Sequence, residues 1–468
     1  MPVTLFQSGD AGTNRLGYAG IKGVAGDLVK LLDSVLILDT GFAFATSGSV
    51  YTDQTTAWTQ MGAGAAMFVN NTAGDICYVG GRQKFNKVIL ALANSPTLGP
   101  GAFAAEYWNG SSWVALVTPT DGTTSLTAAG TYSWSIAAQT GWAQTAVNSV
   151  TLYWVRFRLT NAYTTGPTAK LLSIYGWGAP YNGTNGRVYR SQVTSGVQHY
   201  FTVNDNGPGA GGGKEARIWG DVADPTAYNT AIQATSFPTS ALQANGLFVR
   251  KSTDTTTAQT WLIVADEKTC YLFILTADTA STYATAGFGE FYSLVSGDLY
   301  RSFVAARGTE NSGTVTGSAG LNPLCTFSQP GANSTQSTSN SKLYVARAYT
   351  GVGSSILATT LLGLPASIWN DTSVAGTVAG FNGPDGGIFL SPRFVSEPTG
   401  HVRGRLRGIW DQGHAVSNFS DGDTWSGVGA ISTKTFRAIK SVPCIDAAGG
   451  ANNSFVLVME TSDTWEAN

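Results

Sequence analysis

Short runs of alternating hydrophobic and polar residues fill the chain from about residue 50 onward, and turn residues separate one run from the next. A period of two is typical of β-strands that bury one face. The clearest example is residues 103–108 and 113–117, two aromatic-bearing runs that flank Asn109-Gly110-Ser111-Ser112. Because Asn and Gly both tolerate positive φ, Asn-Gly between such runs predicts a β-hairpin.

The same pattern predicts further strands along the chain. In residues 150–159, Arg156 and Arg158 interrupt the apolar residues, so one face of this strand is expected to point to solvent or a neighbour and the other to a core. The polar loop at residues 266–269 lies between two apolar runs and predicts a second hairpin. Strands are predicted at residues 132–136, 150–159, 197–203, 217–220, 246–251, 261–265, 270–275, 343–349, 387–390, 402–410 and 455–460.

One segment near the N-terminus has the period of a helix instead. Val24 is followed by apolar residues at offsets of 4, 7, 8 and 11, namely Leu28, Leu31, Leu32 and Val35, which share one helical face. Core packing under a sheet is the simpler interpretation. The alternative is a docking helix in which Leu28, Leu31, Leu32 and Val35 enter a partner subunit.

These elements together predict an all-β chain with two or three consecutive antiparallel domains of the β-sandwich or jelly-roll-like kind, and one short N-terminal helix. A length of 468 residues fits roughly three compact units. The predicted divisions are an N-terminal arm with the helix (residues 1–52), a Trp-rich sandwich (53–178), a second β domain (179–310), a flexible loop or linker (311–342) and a C-terminal β domain (343–468).

Composition narrows the choice of partners. Only 12% of residues are charged, about half the usual fraction, and the formal net charge is −2, with Lys and Arg scattered. Neither nucleic acid nor an anionic membrane is therefore an expected partner. No apolar stretch approaches the roughly 20 residues of a membrane span, so synthesis in the cytoplasm is expected.

Motifs for metal or cofactor chemistry are weak. The four cysteines and three histidines lack the close spacings of zinc or redox sites, and the cysteines are interpreted as buried thiols. The Gly-rich segment 204–215 does not match a phosphate-binding loop, because Pro208 takes the place of the first Gly and Glu215 follows the Lys. Turn residues explain Asp205 and Asn206 without a calcium ion. No cofactor, metal or catalytic residue is therefore expected.

Six tryptophans lie between residues 108 and 177. Aromatic residues at this density either fill a sandwich core and a subunit interface or line a sugar-binding face, and core and interface are the favoured interpretation. The candidates for an interface or glycan platform are Trp108, Trp113, Trp134, Trp154 and Trp177.

Two stretches resemble known proteins. Residues 106–113 and 153–158 resemble a β-sandwich module of tailed-phage virion proteins, and residues 196–217 are similar to a family known only as phage structural proteins. The resemblance covers roughly residues 100–310. It implies a place in a virion and carries no catalytic role.

The expected function is therefore that of a non-enzymatic structural protein of a tailed-phage virion, in the tail, tail tip or baseplate, or as a decoration on the head. Its expected partners are copies of itself, as a trimer or hexamer, and other virion proteins. A receptor- or glycan-binding virion protein that uses a Trp-rich sheet on a host-surface glycan is the alternative. An enzyme acting on cell-surface polysaccharide is a third hypothesis.

Overall fold

Antiparallel β-sheets with one short helix near the N-terminus make up this chain, which confirms the predicted all-β class. The structure is a computed structural model. It describes residues 3–8, 20–38, 43–55, 57–58, 63–81, 84–97, 103–174, 177–191, 199–206, 214–228, 235–239, 246–275, 283–308, 324, 341–348, 350, 356–361, 389–397, 402–414, 421–427, 429–445, 451–462 and 465.

The helix α1 spans Asp27–Leu32 and continues as a π-helical segment, Asp33–Leu38; a 3-10 turn spans Gly429–Ile431. The first thirteen strands are β1 (Thr4–Gln7), β2 (Ala43–Ser47), β3 (Val50–Asp53), β4 (Ala65–Ala66), β5 (Ile76–Gly81), β6 (Lys87–Leu92), β7 (Phe103–Trp108), β8 (Trp113–Ala115), β9 (Thr120–Asp121), β10 (Gly130–Ser133), β11 (Gln144–Val147), β12 (Val150–Leu159) and β13 (Thr168–Ser173).

The remaining strands are β14 (Gly178–Gly183), β15 (Gly186–Arg190), β16 (Tyr200–Asn204), β17 (Glu215–Asp221), β18 (Ser236–Phe237), β19 (Leu247–Arg250), β20 (Trp261–Ala265), β21 (Thr269–Leu275), β22 (Tyr283–Glu290), β23 (Tyr292–Ser293), β24 (Ser302–Arg307), β25 (Ser341–Val345), β26 (Ile356–Leu361), β27 (Phe389–Ser396), β28 (Val402–His414), β29 (Thr424–Ser426), β30 (Thr435–Ile445) and β31 (Ala451–Glu460).

Both predicted hairpins are confirmed. In the first, β7 pairs with β8 and Trp108 lies directly opposite Trp113. Its loop is closed by Asn109, whose side-chain oxygen accepts the backbone N–H groups of Ser111 and Ser112, while Gly110 adopts φ of 99°. In the second hairpin, β20 pairs with β21.

The predicted apolar helix face is buried within the chain itself. The side chains of Leu28, Leu31, Leu32 and Val35 are at most 2% exposed and belong to the main hydrophobic core. They have no free face in this structure for a partner subunit, so the docking interpretation would require the helix to leave its own core.

Distant parts of the chain anchor the start of α1. The Leu28 N–H donates to Asp205 Oδ2 at 2.7 Å. The Lys251 ammonium group donates both to the Val24 carbonyl and to Asp205 Oδ1, at 2.5 Å each. An ion pair that is fully buried on both sides thus fixes the helix against β16 and β19.

Residues 43–173 form two sheets that pack against each other. The seven-stranded sheet has the order β3-β2-β5-β12-β7-β8, with β11 also paired to β12, and the five-stranded sheet has the order β4-β13-β6-β10-β9. The predicted sandwich began at residue 53, whereas β2 and β3 precede that position and β2 pairs directly with β5. The segment before residue 53 therefore contributes strands to this sheet as well as the helix.

Of the residues that the structure describes outside 43–173, strand β1 and the strands from β14 onward build a continuous antiparallel sheet of 19 strands. The N-terminal strand β1 joins it beside β20, and β24 pairs with β25. The predicted linker, residues 311–342, separates β24 from β25 in sequence, yet these two strands pair directly. Most of this linker lies outside the described residues. From β26 the ladder runs through β27 and β28 to β31 and β30.

Candidate functional site on the outer face of the seven-stranded sheet

The five candidate tryptophans do not form one array. Trp134 lies between the two sheets of the sandwich, where its ring centroid is 5.5 Å from that of Phe85. Trp177 is fully buried beyond the sandwich, edge-on to Phe288, and its Nε1–H donates to the Asp266 carbonyl at 2.7 Å. These two tryptophans are core residues and take no part in a binding face.

Trp108, Trp113 and Trp154 share the outer face of the seven-stranded sheet. Side chains of a strand alternate between faces, and on β12 the buried Val155 and Phe157 point into the main core while Trp154 joins a separate outer cluster. Trp154 is 0% exposed, whereas Trp108 and Trp113 are half-buried. The pair at the hairpin is therefore the accessible part of the predicted platform.

Trp154 is buried on the outer face by neighbours that cover it. Its ring lies over Gly80 of β5, where a Cβ would be 2.6 Å from the ring, and its Nε1–H donates to the carbonyls of Thr145 and Val150 at 3.0 and 3.3 Å. The turn between β11 and β12 thus closes over this tryptophan. Its role is to support the face from below.

Two tyrosines that the sequence did not single out continue the line of rings: Tyr51 adds exposed surface, whereas Tyr78 is 5% exposed and joins Tyr51 to Trp113 from below. Ring centroids are 6.1 Å apart between Tyr51 and Tyr78, 5.6 Å between Tyr78 and Trp113, and 5.7 Å between Trp113 and Trp108. Tyr51 is 36% exposed on the edge strand β3, all of whose residues are exposed. The period of two on β3 and β5 was the available signal, but the pairing of β3 with β2, and of β5 with β2 and β12, could not be read from the sequence. We call the four residues Tyr51, Tyr78, Trp113 and Trp108 the aromatic row.

Charged side chains cross the aromatic row. Arg156 Nε donates to Glu106 Oε2 at 2.7 Å, and Arg158 Nη2 donates to Glu106 Oε1 at 3.0 Å. The Arg156 guanidinium group also lies 4.4 Å from the Trp113 ring centroid, which is a cation–π contact. These contacts fix the orientation of Trp113 before any partner binds.

These arginines hold the pKa of Glu106 below its usual value. Burial raises the pKa of Glu106, but the hydrogen bonds from Arg158 and Arg156 and the two positive charges together outweigh burial and hold the pKa below its usual value. The face therefore combines exposed aromatic surface with a preorganised Arg–Glu–Arg cluster. Tyr, Trp and Arg are the residues most enriched at energetically important positions of protein interfaces.

A second polar cluster involves His199, which the sequence gave no reason to connect with a serine. Ser302 Oγ lies 2.6 Å from His199 Nδ1, and His199 Nε2 lies 3.4 Å from Glu290 Oε1. The three residue types match a hydrolytic triad, yet each is at most 2% exposed. A substrate cannot reach Ser302 in this conformation, so we interpret the cluster as part of the core.

The remaining candidates for chemistry are also engaged or lie outside the described residues. Asp205, once considered as a calcium ligand, is paired with Lys251, and within the described part of the chain no group of three or more His, Cys, Asp or Glu could hold a metal ion. Cys77 and Cys270 are buried free thiols. The side chains of Cys325, Cys444, His401 and His414 and the Gly-rich residues 207–213 lie outside the described residues.

No protein-family model and no curated protein matches this chain. Within the ranges that the structure describes, no helix is both long enough and apolar enough to cross a membrane.

Proposed function

We propose that this chain is a non-enzymatic structural protein of a tailed-phage virion that assembles with copies of itself through the outer face of the seven-stranded sheet. The observation that carries the proposal is the aromatic row with its Arg–Glu–Arg cluster. Residues 106–113 and 153–158 resemble virion β-sandwich modules. This resemblance is the basis for proposing a position in the tail, tail tip, baseplate or head and contacts with other virion proteins.

A second copy of the chain suits this face for two reasons. The face carries both signs of charge next to partly exposed rings, so the arginines of one copy can lie against acidic residues of the next copy around a symmetric ring. The edge strand β3 is exposed along its whole length and leads with Val50, which is 71% exposed. Exposed edges of this kind favour pairing with another chain.

Sedimentation velocity of the purified protein tests this assembly. We expect an oligomer, a trimer or hexamer, that Trp113→Ser and Tyr51→Ser each shift toward monomer. Leu299→Ser is the matched control, because Leu299 is 56% exposed between β23 and β24, away from the face. A monomer at micromolar concentration, or an oligomer that only the control disrupts, would contradict the assembly. Cryo-EM of particles with a labelled chain tests the virion location.

A glycan-binding virion protein is the second candidate, and the half-buried Trp113 and Trp108 favour it. Aromatic faces stack on the apolar face of a sugar ring while polar neighbours bind its hydroxyl groups. Glycan-array binding that Trp113→Ser abolishes without changing the oligomeric state would favour this function over assembly.

A further inference from the structure

A cleft opens in the C-terminal part of the long sheet, far in sequence from the aromatic row. Strand β28 forms most of it. The lining residues with charged or aromatic side chains are Tyr292, Arg405, Arg407, Trp410, Lys434, Glu460 and Trp465. Three cations and three aromatic rings thus face one carboxylate, a lining suited to an anionic ligand that carries a ring.

The aromatic walls are built into the fold. Gly408 has φ of 67°, and a Cβ at this position would lie 2.2 Å from the Trp465 ring, so the absent side chain lets the indole pack against the strand. The Trp465 Nε1–H donates to the Glu460 carbonyl at 2.8 Å, which fixes the ring. Nearer the opening, Tyr292 and Trp410 are half-buried, and Arg405 lies 5.2 Å from the Tyr292 ring centroid.

The carboxylate oxygens in and beside the cleft already accept hydrogen bonds from side chains of the protein. Glu460 Oε1 accepts from Lys434 Nζ at 2.6 Å, and Glu460 Oε2 accepts from Trp410 Nε1 at 3.1 Å. Arg407 Nη2 donates to Asp266 Oδ2 at 2.5 Å. The carboxylate that lines the cleft is therefore neutralised by neighbours and does not repel an incoming anion.

One buried donor remains without an acceptor. Arg407 Nε has no hydrogen-bond partner among the described residues. A buried N–H of a charged group without a partner is costly, and ordered water or a ligand oxygen usually satisfies it. The cleft has room for about one water-sized group, which fits one carboxylate oxygen and is too small for a sugar ring.

We propose that this cleft binds the carboxylate of an acidic sugar, with one oxygen at Arg407 Nε and the sugar ring on Tyr292 and Trp410 at the opening. The aromatic walls favour a sugar over an acidic peptide, because an Asp or Glu side chain has no ring to cover them. The site is separate from the aromatic row and does not depend on the function proposed for that face.

Titration calorimetry of the full chain tests the site with three probes: methyl glucuronide, methyl glucoside, which lacks only the carboxylate, and free glutamate, which lacks the ring. We expect the glucuronide to bind at least about tenfold more tightly than either, because it alone brings together a carboxylate for a charge-assisted hydrogen bond and a sugar ring. No binding of the glucuronide at millimolar concentration would overturn the proposal. Equal binding of the glucoside or of glutamate would also overturn it.

Two variants and a matched control locate the binding. Arg407→Lys keeps a cation beside Asp266 but removes the Nε–H. Arg405→Gln removes the half-exposed cation of the cleft. Each variant should weaken glucuronide binding about tenfold or more. Arg190→Gln is the control, because Arg190 also lies over a tyrosine, 5.8 Å from the Tyr200 ring centroid, but outside the cleft. Unchanged binding in a folded Arg405→Gln variant, judged by its melting temperature, would refute the site.

Discussion

Acidification should destabilise this protein through His199, whose imidazole is buried where its charged form is disfavoured. The ring is 2% exposed and lies between Ser302 Oγ, 2.6 Å from Nδ1, and Glu290 Oε1, 3.4 Å from Nε2. Burial, the largest cause, and the positive charge of Arg301 together lower the pKa of His199 to about 3, although the negative charge of Asp298 acts in the opposite direction. The folded state therefore holds this histidine neutral.

The size of the effect follows from the difference between the folded and unfolded pKa. An exposed histidine in the unfolded chain has a pKa of about 6.5. Because the folded pKa is the lower one, the stability is fully present above about pH 6.5 and is lost progressively as pH falls toward about 3. Between pH 7.5 and pH 5 the loss amounts to about 2 kcal/mol, at about 1.4 kcal/mol per pH unit below the unfolded pKa. This corresponds to a fall of a few degrees in Tm.

Thermal melts of the wild type and His199→Gln at pH 7.5 and pH 5 measure this contribution. Carboxylates titrate in both proteins and cancel in the comparison, so the fall in Tm between the two pH values should be smaller by a few degrees in the variant. Phe201→Leu is the control, since it loosens the buried strand β16, which begins directly after His199, without removing a titratable group and should keep the full pH dependence. If His199→Gln loses as many degrees as the wild type, the buried histidine is not the cause.

Three other outcomes are expected. Lys251→Ala leaves the carboxylate of Asp205 buried without its cation and should lower the free energy of unfolding by about 3–5 kcal/mol in a denaturant or thermal melt. Adding Asp205→Asn should restore part of this free energy. Additive losses in the double variant would contradict the pairing. Gly408→Ala should lower Tm by several degrees, because the residue has positive φ and Trp465 occupies the space of the new Cβ; an unchanged Tm would show that the contact is loose. Burial raises the pKa of the Cys77 thiol, so peptide-level mass spectrometry should find it unlabelled by a maleimide in the native protein and labelled in urea.

Local sequence patterns were sufficient to predict an element wherever residues that are close in sequence also pair with each other in the structure. Asn109-Gly110 closed the hairpin between β7 and β8 because both the turn and the paired strands lie within a few residues of each other. The strand β12 was predicted with its observed bounds, Val150–Leu159, since more than half of its residues are β-branched or aromatic. The all-β class depends on many such local signals and needs no single long-range contact.

Assignment of side chains to faces and clusters required the tertiary structure. Trp154 and Phe157 are both apolar residues of one strand, yet they lie on opposite faces and only the paired strands decide which face is the core. Trp108 and Trp177 look alike in the sequence, but one lies half-buried beside Trp113 and the other is fully buried on Phe288. Crowding of tryptophans along the chain therefore did not indicate a common surface.

The sequence by itself determined the antiparallel β class, the two hairpins and the amphipathic segment at α1, because these depend on residue type, turn geometry and periodicity over short distances. Only the tertiary structure decided that Tyr51 and Tyr78 join Trp113, that Glu106 lies between Arg156 and Arg158, and that the long sheet gathers a cationic, aromatic cleft around β28. These groupings are contacts between strands tens to hundreds of residues apart, and no short turn fixes which strands pair, or in which register, over such distances.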